Sequence, residues 1–160
     1  VKAIETTKAK VTDTRKTTPG ARLLEKYAIQ IGGASPHRYN LSDGVLIKDN
    51  HIQIAGSVTE AIQRVKKHLS HTTKIEVETE TKSEVEEALA AGADIIMLDN
   101  MSVEETKEMV QFIKGRAIIE SSGNINLQTI LKYAQTGTNY ISTSAINTKA
   151  PVLDIGMDAK

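Results

Sequence analysis

Short runs of β-branched and apolar residues recur along this chain, separated by segments with helical spacing, and that alternation leaves few folds open. The runs fall at residues 10–15, 44–48, 74–79, 94–99, 117–121 and 140–143. Each has the length and residue types of a strand. Between them apolar positions return every three or four residues, as with Ala61, Val65 and Leu69 or with Met109, Val110 and Ile113. Helix starts are marked by Ser57 with Glu60, Ser83 with Glu86 and Ser102 with Glu105, pairs that fit a capping box, and Asn126 is a fourth candidate cap. Helix ends are marked by Gly32 or Gly33, Gly92, Gly115 and Gly137.

Strand and helix units joined by short loops imply parallel strands with right-handed crossovers, hence an α/β fold. A doubly wound sheet and a barrel both satisfy this, and we favour the barrel. About six units are too few for a complete eight-unit barrel of about 250 residues, so an open or incomplete TIM-like α/β barrel is expected. A chain of 160 residues with 39% hydrophobic content is long enough for one core, and residues 1–160 read as a single domain. The chain opens at Val1 without a Met, and this stretch resembles no targeting peptide, which fits a piece excised from a longer protein.

Composition removes several function classes. Zero net charge and 3% aromatic content disfavour nucleic-acid binding. The lack of cysteine excludes disulfides, thiolate zinc sites and a cysteine nucleophile. No apolar run approaches the roughly 20 residues that cross a bilayer, so a cytoplasmic protein without membrane partners is expected.

Parallel strands covered on both faces should be apolar almost throughout. These are not. Ile75, Val77 and Thr79 alternate with Glu76, Glu78 and Glu80, which puts three carboxylates on one face. Taken singly, Glu76 and Glu80 fit a solvated face as well as an interior one. Lys48 closes the preceding run, Asp99 the following one, and Arg15 and Lys16 the first. Barrel active sites lie at the C-terminal ends of strands, so these groups should converge on one mouth. Mixed signs suit a ligand that has both anionic groups and metal-bound oxygens.

Ser122, Gly123 and Asn124 lie between a strand and the expected helix start at Asn126, where N–H groups favour an anion. Ser142, Thr143 and Ser144 repeat the theme after the last run. Either segment alone also reads as an ordinary capped turn. In the loop after the first helix, Arg38 can grip a carboxylate and His37 can add a donor or a charge. His68 and His71, near a helix end, read as capping carbonyls or facing water and carry no role, and no pair of histidines has zinc spacing.

The ordered set Thr14-Arg15-Lys16-Thr17-Thr18-Pro19-Gly20, Gly32-Gly33, His37-Arg38 and Leu46-Ile47-Lys48-Asp49-Asn50-His51 resembles the quinolinate phosphoribosyltransferase family. Glu76-Val77-Glu78, Ala91-Gly92-Ala93-Asp94, Met97-Leu98-Asp99-Asn100, Ser122-Gly123 and Leu153-Asp154 extend the likeness over nearly the whole chain. The resemblance implies that quinolinate and phosphoribosyl pyrophosphate react, with Mg²⁺, to nicotinate mononucleotide, pyrophosphate and carbon dioxide. Arg15, Lys16, His37, Arg38 and Lys48 would hold quinolinate, with Lys16, Lys48, Glu78 and Asp99 as catalytic candidates. Glu78 and Asp99 would serve the ribose hydroxyls and the metal-bound pyrophosphate, touching the metal directly or through substrate or water. Ser122, Gly123, Asn124, Ser142, Thr143 and Ser144 would receive phosphate. Departures concern the phosphate contacts: many relatives have glycine where Asn124 stands, and a glycine followed by a histidine in the segment 144–148. The family also carries an N-terminal α/β domain and shares its sites across a homodimer or higher homo-oligomer. The alternatives are a sister phosphoribosyltransferase acting on nicotinate or another small acid, and a non-catalytic phosphate-binding barrel, for which Glu78 and Asp99 are surplus.

Overall fold

A computed structural model describes residues 1–158. After a 3₁₀ turn at Lys2–Ile4 the order is β1 (Lys10–Thr12), α1 (Arg22–Ile31), β2 (Val45–Ile47), α2 (Asp49–Ala55), α3 (Val58–Lys66), β3 (Ile75–Thr79) and α4 (Lys82–Ala90). Then follow β4 (Ile95–Asp99), α5 (Val103–Ile113), β5 (Ile118–Ser122), α6 (Ile130–Ala134), β6 (Tyr140–Ser142) and α7 (Ala145–Thr148). The six strands make one parallel sheet in the order β1-β6-β5-β4-β3-β2. This is the open α/β barrel expected, with its opening between β1 and β2.

That opening is partly filled. Ser35 makes a parallel bridge to Thr12, and Arg38 donates from Nη1 to the Gly44 carbonyl at 3.2 Å, next to β2. Residues 35–38 thus stand where a further strand would.

The period-2 alternation sorts the strands into two faces. Ile75, Val77, Ile96, Leu98 and Ile119 pack outward against Val58, Ala61, Ile62, Val85, Ala88, Met109 and Ile113 of α3, α4 and α5. A second cluster, Ile4, Val11, Ile125, Ile130, Ala134 and Ile141, covers the β1/β6 edge. Burial of each large aliphatic side chain stabilises by about 1.5–3 kcal/mol, so the core lies between strands and helices. The barrel interior holds Glu76, Glu78, Asp99 and Glu120 beside Ile95, Met97 and Ile118. Among the described residues no helix is long and apolar enough to cross a membrane.

Two helix starts differ from expectation. Ser57 and Ser102 cap α3 and α5 as expected, but α4 is capped by Thr81 with Glu84, not by Ser83 with Glu86. Glu84 accepts from the N–H groups of both Glu80 (2.7 Å) and Thr81 (3.1 Å), so the box set two residues earlier satisfies more of the donors left by the end of β3. Asn126 heads a turn, accepting from the Gln128 N–H at 2.9 Å, and α6 begins only at Ile130.

Candidate functional site

At the C-terminal ends of the strands Arg15, Lys16, Arg38, Lys48, Glu78 and Asp99 line one cavity together with His37 and Glu120. An adjoining cavity is lined by Ser122, Gly123, Asn124, Ser142, Thr143 and Ser144. Lys16, Asp99, Ser122 and Ser142 line both. Every site residue expected from the sequence therefore reaches one mouth, divided between a charged half and a hydroxyl-rich half.

Sheet register is what gathers them. Glu78 lies beside Met97 and Asp99 beside Ser122, so inward positions of β3, β4 and β5 stack side by side. Lys48 follows β2 and begins α2, its N–H donating to His51 Nδ1 at 3.0 Å. Its ammonium pairs with Glu78. The cationic and acidic sides are therefore joined at this point. Asp99 is oriented by Asn100, whose Nδ2 donates to it at 2.7 Å.

Of the three alternating carboxylates, Glu80 leaves the set, being exposed beyond the end of β3, whereas Glu76 points into the barrel. There it meets His37 and Glu120, with His37 Nε2 at 3.4 Å from Glu76 and 3.5 Å from Glu120. Burial alone would lower the pKa of His37, but the hydrogen bonds and charges of Glu120 and Glu76 outweigh it and raise the value from 6.5 to about 9, a rise opposed by the Arg38 N–H on Nδ1, which only the neutral ring can accept. Burial likewise holds the Glu76 carboxyl above its usual range; Glu120's charge adds to this and His37 opposes it. Burial and the neighbouring Arg15 lower the pKa of Arg38, which stays charged.

His37, Glu76 and Glu120 have the number and convergence of side chains for a metal ion, their ligand atoms lying within 4.8 Å of one another. The histidine does not fit. Its Nδ1 accepts from the Arg38 N–H at 2.8 Å. In neutral His37 that bond places the proton on Nε2, the atom that would have to ligate, and an imidazolium has no free lone pair on either nitrogen. The ring instead presents an N–H to two carboxylates.

Behind His37 lies an ion pair that sequence reasoning missed. Lys26 on α1 bonds Asp13 at 2.7 and 2.8 Å, with both side chains buried. Asp13 directly follows β1 just as Lys48 follows β2, but the first run extends to residue 15 in the sequence and hides that strand end. Lys26, between Glu25 and Tyr27 on a helix, gave no signal. Glu120 was legible, because Ile118, Glu120 and Ser122 alternate in the manner that exposed Glu76 and Glu78.

In the second cavity Gly123 (φ 93°) and Asn124 (φ 53°) both hold left-handed backbone. Asparagine is the non-glycine residue best suited to that region, which accounts for its standing where relatives have glycine. Ser142 Oγ is buried without a hydrogen-bond partner. Thr143 is committed to structure, donating to the Ile125 carbonyl at 2.6 Å and accepting from Ala145 N–H at 3.1 Å. Because α6 starts at Ile130, its dipole does not reach Ser122 to Asn124, and the groups that face this cavity are hydroxyls, loop residues, Lys16 and Lys149. Lys149, unsuspected from the sequence, also lines this cavity.

Residues 1–158 match the family model described as "Quinolinate phosphoribosyl transferase, C-terminal domain". A probable nicotinate-nucleotide pyrophosphorylase (carboxylating) of Synechocystis is 47% identical over 98% of this chain and 54% of its own length. That of Bacillus subtilis is 42% identical over 99% of this chain and 55% of its own length. The nicotinate-nucleotide pyrophosphorylase structure from Ehrlichia chaffeensis superposes with a TM-score of 0.89 at 46% identity, covering 92% of this chain and 54% of that one. The chain thus spans about half the length of the relatives it matches.

Proposed function

The chain belongs to the quinolinate phosphoribosyl transferase family through its C-terminal domain, and on that premise we propose that the protein carrying it makes nicotinate mononucleotide from quinolinate and phosphoribosyl pyrophosphate. The observation that carries this reading is the shared wall of Lys16, Asp99, Ser122 and Ser142 between a cation-rich cavity and a hydroxyl-rich one. Two substrates, one a planar diacid and the other a phosphorylated sugar, can there meet at adjoining atoms.

In this reading Arg15, Lys16, Arg38 and Lys48 neutralise the two ring carboxylates, and Arg15 and Arg38 offer forked donors. His37 acts through Glu76 and Glu120 as well as facing the cavity. Ser122, Ser142, Ser144 and the N–H groups of Gly123 and Asn124 receive the 5′-phosphate, which anchors the ribose. The pyridine nitrogen then attacks C1′ while the bond from C1′ to the pyrophosphate oxygen breaks. Positive charge gathers on the ribose as that bond lengthens, and Glu78 and Asp99 stabilise it. Loss of the carboxylate next to the quaternised nitrogen leaves its electron pair on the ring, which takes up a proton. The protein's share is chiefly orientation.

Glu78 and Asp99 fit Mg²⁺ in donor type, both offering hard carboxylate oxygens at the mouth. Two carboxylates, one of them already paired with Lys48, do not make a complete cage. They fit an ion held largely by substrate oxygens and water, one that neutralises the departing pyrophosphate when bound. We also propose a homo-oligomer, supported by the outer face of α1, where Leu23, Leu24, Tyr27 and Ile31 are each more than 60% exposed.

Isothermal titration of the natural full-length protein tests the reading. Quinolinate should bind at least about tenfold more tightly than nicotinate, a gap of about 1.4 kcal/mol. Equal or tighter nicotinate binding would favour the sister activity instead.

A further inference from the structure

Asp13 and Lys26 line neither cavity at the mouth, yet their contacts converge on the two residues that complete its cationic wall. Lys26 Nζ lies 2.8 Å and 2.7 Å from the two carboxylate oxygens of Asp13, 2.9 Å from the His37 carbonyl and 3.2 Å from the Arg38 carbonyl. Asp13 Oδ1 also accepts from the His37 N–H at 2.7 Å. Asp13 is 0% and Lys26 5% exposed.

We propose that this buried pair is a positioning device that sets His37 and Arg38 against Arg15 and Lys16, and so makes the site selective for a ligand with two carboxylates. The inference rests on the quinolinate reading above. Asp13 follows β1 directly and Arg15 and Lys16 come next, so the strand end that bears one pair of cations also anchors the other. The other contacts of residues 37 and 38 are made by their side chains, His37 Nε2 toward Glu76 and Glu120 and Arg38 Nη1 to the Gly44 carbonyl, so the pair is what fixes their backbone. The bridge from this segment to β1 is made upstream, where the Ser35 N–H donates to Val11 at 2.8 Å, and the Arg38 N–H is already taken by the His37 ring. Without the pair, the His37 N–H and two carbonyls lose the partners named above.

Desolvation explains why such a pair is better understood as geometry than as stability. Burying both charges costs several kcal/mol per ion, and neutral side chains of similar volume often serve stability as well or better. What they do not reproduce is an ammonium that draws two carbonyls and a carboxylate to one point. Capture of a diacid is sensitive to that point, since a misplacement of about 1 Å costs on the order of 10²-fold. A single carboxylate, gripped from one wall, does not sense the spacing between walls.

The test is the double variant Asp13→Leu/Lys26→Met in the natural full-length protein, which leaves no lone buried charge and no side-chain acceptor for the His37 N–H. Quinolinate, nicotinate and Mg²⁺-phosphoribosyl pyrophosphate are titrated against it and against wild type. The expected result is quinolinate Kd raised by about tenfold or more, with the other two ligands within about threefold. An unchanged quinolinate Kd overturns the inference, as does an equal loss for all three ligands, which would mark general damage. If wild type itself does not bind quinolinate, the functional reading fails instead. Positioning is then judged from hydrogen exchange at the His37 amide, whose protection should fall about tenfold or more in the variant; unchanged protection overturns the inference. Should the double variant not fold, Lys26→Arg carries the same comparisons, with the same outcomes for and against. It keeps the cation but moves its donors, and the cavity beside α1 that Lys26 lines leaves room for it.

Discussion

Replacement of Gly123 by alanine tests the geometry of the hydroxyl-rich cavity directly. A Cβ built on Gly123 would lie 2.3 Å from Asn100 Oδ1 and 2.6 Å from Asn100 N, on a backbone with φ at +93°. Placing an L-residue at positive φ costs roughly 1–2 kcal/mol. The Asn100 side chain can rotate away, but its backbone nitrogen cannot move without stretching the hydrogen bond it donates to Ser122 at 3.0 Å, which is worth about 1 kcal/mol. The total comes to about 2–3 kcal/mol. In a domain of this size that lowers Tm by roughly 4–12 °C, measurable by circular dichroism. Asn100 also orients Asp99, so affinity for Mg²⁺-phosphoribosyl pyrophosphate in the full-length protein should fall with it. Asn124→Gly is the control: its φ of 53° suits glycine, and stability should stay within about 1 kcal/mol. A Gly123→Ala protein that melts within about 2 °C of wild type would refute the reasoning.

Other outcomes follow from the same structure. The raised pKa of His37 means that its contribution to stability is fully present below about pH 6.5 and fades as pH rises through about 9. Its ceiling is about 3 kcal/mol, reduced because ionising Glu76 works in the opposite direction. Urea titrations of wild type and His37→Gln between pH 6 and 10 should converge at the alkaline end, and a constant difference would contradict this. Thr81→Ala should cost about 1 kcal/mol whereas Ser83→Ala stays within about 0.5 kcal/mol; thermal melts that reverse this order would restore the cap expected from the sequence. In the full-length protein Glu78→Ala and Asp99→Ala should each reduce turnover by on the order of 10²-fold or more, with quinolinate Kd changed less than about threefold. Glu78→Ala frees Lys48, so that variant should bind quinolinate no more weakly than wild type, and unchanged turnover in both would remove the ribose and metal roles.

Much of the site was legible because its signal is local. A charge that ends an apolar run is visible without knowledge of the fold, and so are Lys48 and Asp99, while Glu78 is visible from the alternation within its strand. Strand positions agree to within a residue, since alternation and flanking caps are both short-range, except that the first run extends to residue 15 whereas β1 ends at Thr12. The capping of α4 went wrong at the same level. Thr81/Glu84 and Ser83/Glu86 satisfy the same pattern, and only the end of β3 decides which donors are left over. Glu80 failed for a similar reason, because periodicity continues through a residue at which the strand has already stopped.

The order of strand and helix units, and the strand ends that bear charge, were determined by the sequence alone, since both depend on residues a few positions apart. Which charges meet was not. Lys48 pairs with Glu78, His37 sits between Glu76 and Glu120, and Lys26 reaches Asp13 and two carbonyls of residues 37 and 38. Each of these contacts joins residues distant in the chain, and each is set by sheet register or by how residues 35–38 fill the opening between β1 and β2. Tertiary structure therefore decided which of the charges named by the sequence face a ligand and which hold one another in place.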